Sequence, residues 1–247
     1  MSLSRLGLSL GLGGGTSATS SGGGGGGAAP YSNSYSVVFD GTDDYASIPA
    51  DSAINFSGDM TISAWVKFNT VGIYDSLVCV RPTSSSLMFN LMMSGGAPRF
   101  QMYTGGILQS TTQPTTGTWY HVAVTIQSGV TNGSKMYVNG THETTSTLTI
   151  SSVTGPLEFA GLKSAYNSYY FPGHLDEIAI WNSELTSSNI TDIYNSGSPD
   201  DISSLSPVGW WRMGENDGGS GTTITDQGSG GNDATLYNSP TFSTDVP

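Results

Sequence analysis

Met60-Thr61-Ile62-Ser63-Ala64-Trp65-Val66-Lys67-Phe68 alternates with a period of two. Successive side chains of a β-strand point to opposite faces, so Met60, Ile62, Ala64, Val66 and Phe68 fall on one face. Tyr120, Val122, Val124 and Ile126 repeat the pattern after Trp119. Met136-Tyr137-Val138-Asn139-Gly140-Thr141-His142 reads as a hairpin, because Asn-Gly takes positive φ at both turn positions at little cost. Asp40-Gly41, after Val37-Val38-Phe39, is a second turn signal. Further short strands are expected at 86–93, 98–103, 144–150, 156–162, 175–181 and 208–213, separated by Gly/Ser/Thr turns. Many short strands of this kind predict an all-β, two-sheet antiparallel sandwich or jelly roll. One short helix interrupts them. Thr186 is its cap, Leu185 and Ile190 occupy staple positions, and Gly197 is placed to stop it. It is expected to plug one end of the sandwich.

Composition agrees with a packed body. Hydrophobic residues make up 36% of the 247 and aromatics 10%, whereas charged residues reach only 11%. Seven Lys and Arg face nineteen Asp and Glu, a net charge of -12. So few cations cannot neutralise a run of phosphates, which excludes nucleic acid as a partner. The same shortage excludes an anionic membrane surface, and no apolar run approaches the roughly twenty residues a span needs. The single cysteine, Cys79, sits in apolar Leu77-Val78-Cys79-Val80 and reads as a buried thiol. Stability must come from packing or metal.

Residues 1–30 differ from the rest. They form a Gly/Ser-rich arm and linker, and 31–247 form the jelly roll, with 201–247 as its closing strands. Glycine and serine interrupt Leu3, Leu6, Leu8, Leu10 and Leu12, and Gly13–Gly15 follow directly, so the arm does not read as an export signal. Two readings stand: a disordered leader, or five leucines on a tether able to dock on a neighbour's surface or sheet edge.

Several segments resemble the laminin-G-like, concanavalin A-type jelly-roll superfamily. They are Tyr35-Ser36-Val37-Val38-Phe39-Asp40-Gly41-Thr42-Asp43-Asp44-Tyr45, Ser63-Ala64-Trp65-Val66 and Thr118-Trp119-Tyr120-His121-Val122-Ala123-Val124. Tyr137-Val138-Asn139-Gly140 and Pro172-Gly173-His174-Leu175-Asp176-Glu177-Ile178-Ala179-Ile180-Trp181-Asn182 continue the series in order. The resemblance implies a two-sheet jelly roll, often a structural calcium ion, and frequently a glycan- or protein-binding role. The ending Trp210-Trp211-Arg212-Met213-Gly214-Glu215 with Asn232-Asp233-Ala234-Thr235-Leu236 resembles a strand pair that commonly precedes this fold. Together with the Gly-rich leader, that ending is similar to proteins of marine bacteriophage particles.

Glycosidases of this fold need acidic side chains spaced by two on one strand, with a retaining pair about 5–5.5 Å apart. Asp176 and Glu177 are adjacent, hence expected on opposite faces, and Ile178 and Ala179 follow them. His121, His142 and His174 are scattered, with His121 and His142 expected to decorate strands. The chain is therefore expected not to be an enzyme. Asp176 shares strand parity with Ile178 and Ile180, and a carboxylate on a core face must be paired, hydrogen-bonded or metal-bound. With Asp40, Asp43 and Asp44, which the superfamily places nearby, it forms a candidate Ca²⁺ set; turn-forming aspartates are the other reading. Tyr166, Asn167, Tyr169 and Tyr170 form the aromatic loop best suited to a glycan. The five tryptophans are expected to pack.

The expected function is a non-enzymatic virion surface component, a head decoration or tail-fibre module. Its arm anchors it to other capsid or tail proteins in an oligomeric assembly, and its outward face binds host glycans. A free extracellular calcium-dependent lectin is the alternative, and a hydrolase rests on fold kinship alone.

Overall fold

The alternation in 60–68 is realised as strand β3 (Met60–Phe68), at the centre of one sheet. Met60, Ile62, Ala64, Val66 and Phe68 all enter the main core, as the period predicts. The structure is a computed structural model and describes residues 31–50, 57–80, 89–151, 155–163 and 169–247. Leu3, Leu6, Leu8, Leu10 and Leu12, with Tyr166 and Asn167, lie outside the described residues.

The first sheet runs in the order β10 (Thr141–Ser146), β9 (Ser134–Val138), β8 (Trp119–Ile126), β3, β12 (Pro172–Trp181), β1 (Ser36–Asp40) and β16 (Thr241–Ser243). β13 (Gly209–Trp211) also pairs with β12. The second sheet runs β14 (Thr223–Ile224), β15 (Ala234–Tyr237), β2 (Tyr45–Ile48), β11 (Leu157–Phe159), β4 (Ser76–Val80), β5 (Phe89–Met93), β6 (Phe100–Tyr103) and β7 (Ile107–Gln109). Each sheet is antiparallel, and the main apolar core lies between them. This is the concanavalin A-type jelly roll. The strands of 201–247 close both sheets: β16 pairs with β1, and β15 with β2.

Asn139 and Gly140 take φ of 50° and 71° between β9 and β10, as the hairpin requires. The Asp40-Gly41 turn instead carries the chain from one sheet to the other. Helix α1 (Ser187–Tyr194) starts at Thr186, whose hydroxyl accepts from the Asn189 amide while the Asn189 side chain accepts from the Thr186 amide. Asn195, at φ 42°, ends the helix two residues before Gly197. The helix does not plug an end of the sandwich. It covers the outer face of the first sheet, where Ala123, Tyr137, Ala179 and Trp181 form a second apolar cluster with Ile190 and Ile193. Those residues alternate with the core set, and this outer face needs a cover.

β12 departs from plain alternation. Asp176 pairs with Trp65 but Ala179 pairs with Ser63, so Glu177 and Ile178 together oppose Ala64. Glu177 is the extra residue of this bulge, with φ 45°. Leu175, Ile178 and Ile180 all enter the main core. Asp176 therefore does not share a face with Ile178, and both carboxyls go to the outer side, correcting two expectations at once. Neither reaches water: Asp176 is 0% and Glu177 5% exposed. Residues 31–35 and the chain after β13 supply their partners. Asn33 donates to Asp176 at 2.9 Å. Tyr31 hydroxyl (2.8 Å), Trp210 Nε1 (2.6 Å) and Arg212 Nε (3.0 Å) donate to Glu177. The Ser34 and Tyr35 amides donate to Glu215, and the Arg212 guanidinium stands 4.3 Å over the Tyr31 ring. Burial, then the neighbouring Glu177 charge, holds the Asp176 carboxyl well above the usual carboxylate range.

Removing one member of such a pair strands the other charge in a dry site. Glu177→Ala is expected to cost about 3 kcal/mol in urea unfolding, and adding Arg212→Ala to it to cost less than the sum of the two. A loss under about 1 kcal/mol would show that the clamp is not needed for stability.

Candidate functional site

The same two-residue period that fills the core also builds a groove on the outer face of the second sheet. In β5, Phe89, Leu91 and Met93 point inward, which turns Asn90 and Met92 outward; in β6, Phe100 and Met102 point inward, which turns out Gln101 and Tyr103. Leu108 of β7 is in the core and Ile107 faces the groove. Two loops raise a wall along it: Tyr74 precedes β4, while Leu162 and Tyr169 come from the connection between β11 and β12. The enclosed volume is about 450 Å³, within the range of small-molecule sites.

The Tyr74 and Tyr169 rings stand 5.6 Å apart, tilted by 54°. Both residues have left-handed backbone, with φ of 64° and 63°. An aromatic residue adopts that region only when its surroundings hold it there. Here the Tyr74 amide donates to Met93 O at 3.1 Å, and the Ser76 amide donates to Tyr169 O at 2.9 Å. Gly95 makes room for the wall, because a Cβ there would sit 2.0 Å from the Tyr74 hydroxyl oxygen. Tyr74, Tyr169 and Ile107 remain 42%, 38% and 53% exposed, so apolar surface is presented to solvent around a polar floor. That floor is fixed: Asn90 Oδ1 accepts from Ser76 Oγ at 2.8 Å, and Gln101 Oε1 accepts from Gln109 Nε2 at 2.7 Å. Flat exposed rings can stack on a sugar; of the floor amides Asn90 is wholly buried with both groups engaged, by Ser76 and Met92, and Gln101 is the one that reaches solvent.

Asp75 supports the wall from behind. Its carboxylate accepts from the Gly72 amide at 3.1 Å, and burial pushes its pKa up to about 6. The folded state therefore holds this proton more tightly than the unfolded chain. The stability it contributes is complete below the ordinary value of 3.8 and is lost as pH rises through about 6. The melting temperature is expected to fall as pH rises across that window in the wild type and to stay flat there in Asp75→Asn; identical profiles would refute the assignment.

Of the aromatic loop, Tyr169 lines the groove, whereas Tyr170 lies over Gly161 beside Tyr45, which stacks on Tyr237 at 4.8 Å. Asp40, Asp43 and Asp44 bring one ligand atom each within 4.8 Å of one another. Asp176 is not with them. Asp40 pairs with Pro172, four residues back along β12, roughly 13 Å away at strand spacing, and Asp176 belongs to the clamp at the bulge. The turn's own amides use part of the acidic set: Thr42 and Asp43 donate to Asp40 Oδ1, and Asp40 donates to Asp44 Oδ2. Burial raises the Asp44 pKa and the Asp40 and Asp43 charges add to it, a repulsion that a cation relieves. Three carboxylates at this spacing fit the all-oxygen preference of Ca²⁺. His121, expected to decorate a strand, is wholly buried against Trp65 with its pKa driven down to about 3 by burial; Nε2 lies 2.8 Å from Ser63 Oγ. Four of the five tryptophans are buried, as expected; Trp119 is partly exposed and donates to Asp245. Tyr74, Asn90, Gln101 and Gly95 escaped the sequence reading, although the alternation in 89–93 and 100–103 held the signal for two of them.

The family model described as the concanavalin A-like lectin/glucanases superfamily matches residues 40–191, more than half of the chain. The chain belongs to that superfamily. Among solved structures, it is similar to a protein of Bacteroides ovatus described as a candidate carbohydrate-binding protein. That pair has a TM-score of 0.67 at 20% identity, and covers 88% of this chain but only 62% of the other's length. It is also similar to the native heptameric SAP-like pentraxin of Limulus polyphemus, with TM-score 0.53, 12% identity and coverage of 66% and 82%. Domain 4 of a GH43 extracellular arabinanase from Geobacillus stearothermophilus, solved with arabinotriose, gives TM-score 0.52, 19% identity and coverage of 64% and 76%. At these identities the likeness is one of fold. No curated protein matches the sequence.

Proposed function

We propose that the chain is a non-catalytic saccharide-binding module and that its ligand lies in the groove over β5, β6 and β7. The observation that carries this reading is the exposed, strained tyrosine wall beside a floor of hydrogen-bonded amides. Two structural relatives support it, one by its description as a candidate carbohydrate binder and one by its bound arabinotriose. Catalysis is not part of the proposal. The adjacent carboxyls Asp176 and Glu177 are buried and committed to protein partners, and the described groove lining contains no carboxylate. Tyr74→Ala and Tyr169→Ala are each expected to weaken binding about tenfold or more in titrations against the strongest glycan-array ligand, with the fold retained. Full affinity in both variants would reject the groove.

The proposed setting is a virion surface, with residues 1–30 as the anchor to other capsid or tail proteins. It rests on the Gly-rich arm and the Trp-Trp-Arg-Met-Gly ending. Sedimentation of native particles followed by mass spectrometry is expected to recover peptides of 31–247 in fixed copy number. Recovery only from the soluble fraction would favour the free extracellular lectin. In either setting we propose a structural Ca²⁺ at Asp40, Asp43 and Asp44. Calcium at a hundredfold excess over its Kd is expected to stabilise the fold by about 2.7 kcal/mol in a thermal shift, and Asp43→Asn to abolish the gain. No shift with calcium would reject the site.

A further inference from the structure

We infer that the groove takes a neutral saccharide and holds it without a metal ion, an inference that rests on the saccharide reading above. The lining is decisive on charge. Its polar members are three tyrosines, Asn90 and Gln101, and the rest is Met92, Ile107, Leu162 and Gly95, so no described lining residue is ionic at neutral pH. Lys163, which directly follows Leu162, is exposed and is not among the lining residues.

A sialic acid, uronate or sulfated sugar would have to place its anion against this surface. Carboxylates and sulfates are held by Arg or Lys, and an anion desolvated without one is costly. Four of the chain's seven cations are engaged in contacts of their own. Lys67 meets Asp245, Lys135 meets Glu184, Arg212 meets Glu177, and Arg99 donates to the Ser110 carbonyl. The net charge of -12 repels a polyanion before it arrives. A cationic ligand fits poorly for a different reason. Cation–π recognition places the cation within about 6 Å of each ring centroid, normally between rings that flank it. Tyr74 and Tyr169, at 5.6 Å, touch each other and form one two-ring wall with no gap for an ammonium group.

Metal independence follows from the order of strands. The acidic triad sits in the turn that leads into β2, and Tyr170 lies on that side, beside Tyr45. No triad residue lines the groove, and β11 and β4 separate β2 from β5, so three strand spacings, roughly 14 Å, lie between the triad's edge and the groove floor at β5. A calcium ion reaches its oxygens at about 2.3–2.6 Å and cannot share a sugar across that distance. The two sites are separate: one steadies a turn, the other binds.

The test uses the full chain on an array of neutral, sialylated, uronate-bearing and sulfated oligosaccharides, followed by calorimetry with the strongest ligand in calcium and in excess EDTA. Expected are hits confined to neutral glycans, an affinity within about twofold in EDTA, and a loss of about tenfold or more in Tyr169→Ala. Gly95→Ala provides a second variant, since the three atoms nearest its new methyl all belong to the far end of the half-exposed Tyr74 side chain; it is expected to weaken binding with little change in melting temperature. Hits that require a carboxylate, sulfate or ammonium group overturn the neutral assignment, and loss of binding in EDTA by protein that stays folded overturns metal independence. Neutral hits that survive both Tyr169→Ala and Gly95→Ala place the ligand elsewhere and overturn the groove. An array without any hit, from protein shown to be folded, removes the saccharide reading itself and this inference with it.

Discussion

The structure turns on the extra residue in β12. This strand has β3 along one edge and shares the other between β1 and β13, so an error in its register would propagate into three neighbours. The bulge lets Leu175 and Ile178 both reach the core, and in doing so it sends Asp176 and Glu177 to the same outer side. Two carboxyls out of water must be given partners. Residues 31–35 and the Trp210–Glu215 stretch, far apart in sequence, are drawn together to provide them. One local irregularity therefore brings residues 31–35 and 210–215 together.

The two sheets divide the work. Both turn one face to the shared core, but the outer face of the first carries Ala123, Tyr137, Ala179 and Trp181 and is covered by α1. On the outer face of the second, the described part of the connection between β11 and β12 contacts Cys79 through Gly161 and sets Leu162 and Tyr169 along the groove over β5, β6 and β7. The groove persists because the residues beneath it are polar and paired, as buried Asn90 and Gln101 are through their side-chain partners.

Much of this was legible in the chain because it is local. β3 and β8 follow from alternation, the Asn139-Gly140 turn from positive φ, and the start of α1 from Thr186. The acidic turn was legible for the same reason, its three aspartates lying within five residues. The bulge was not. Counting Leu175-Asp176-Glu177-Ile178 with a strict period of two puts Asp176 with Ile178, and the register shift against β3 together with the left-handed backbone of Glu177 reveals the inserted position. Nor was most of the groove. Tyr169 stood out by composition, but Tyr74 lies in a loop 95 residues earlier in the sequence, and Asn90 looks like a flaw in an apolar strand until the opposite face is known. The end of α1 shows the same limit on a smaller scale: Gly197 was the better stop by type, yet Asn195 adopts the left-handed turn first.

The pairing of β16 with β1 and of β15 with β2 also has a kinetic meaning. The first two strands of the body wait for partners roughly 190 residues or more further along the chain, so neither sheet can complete that edge until those strands have been made. Loop-closure entropy across nearly the whole body must be met before those contacts repay it, which makes folding slow and late. Until then the apolar faces of β1 and β2 are open to other chains. The closing strands, small as they are, decide how long a nascent molecule stays vulnerable to aggregation.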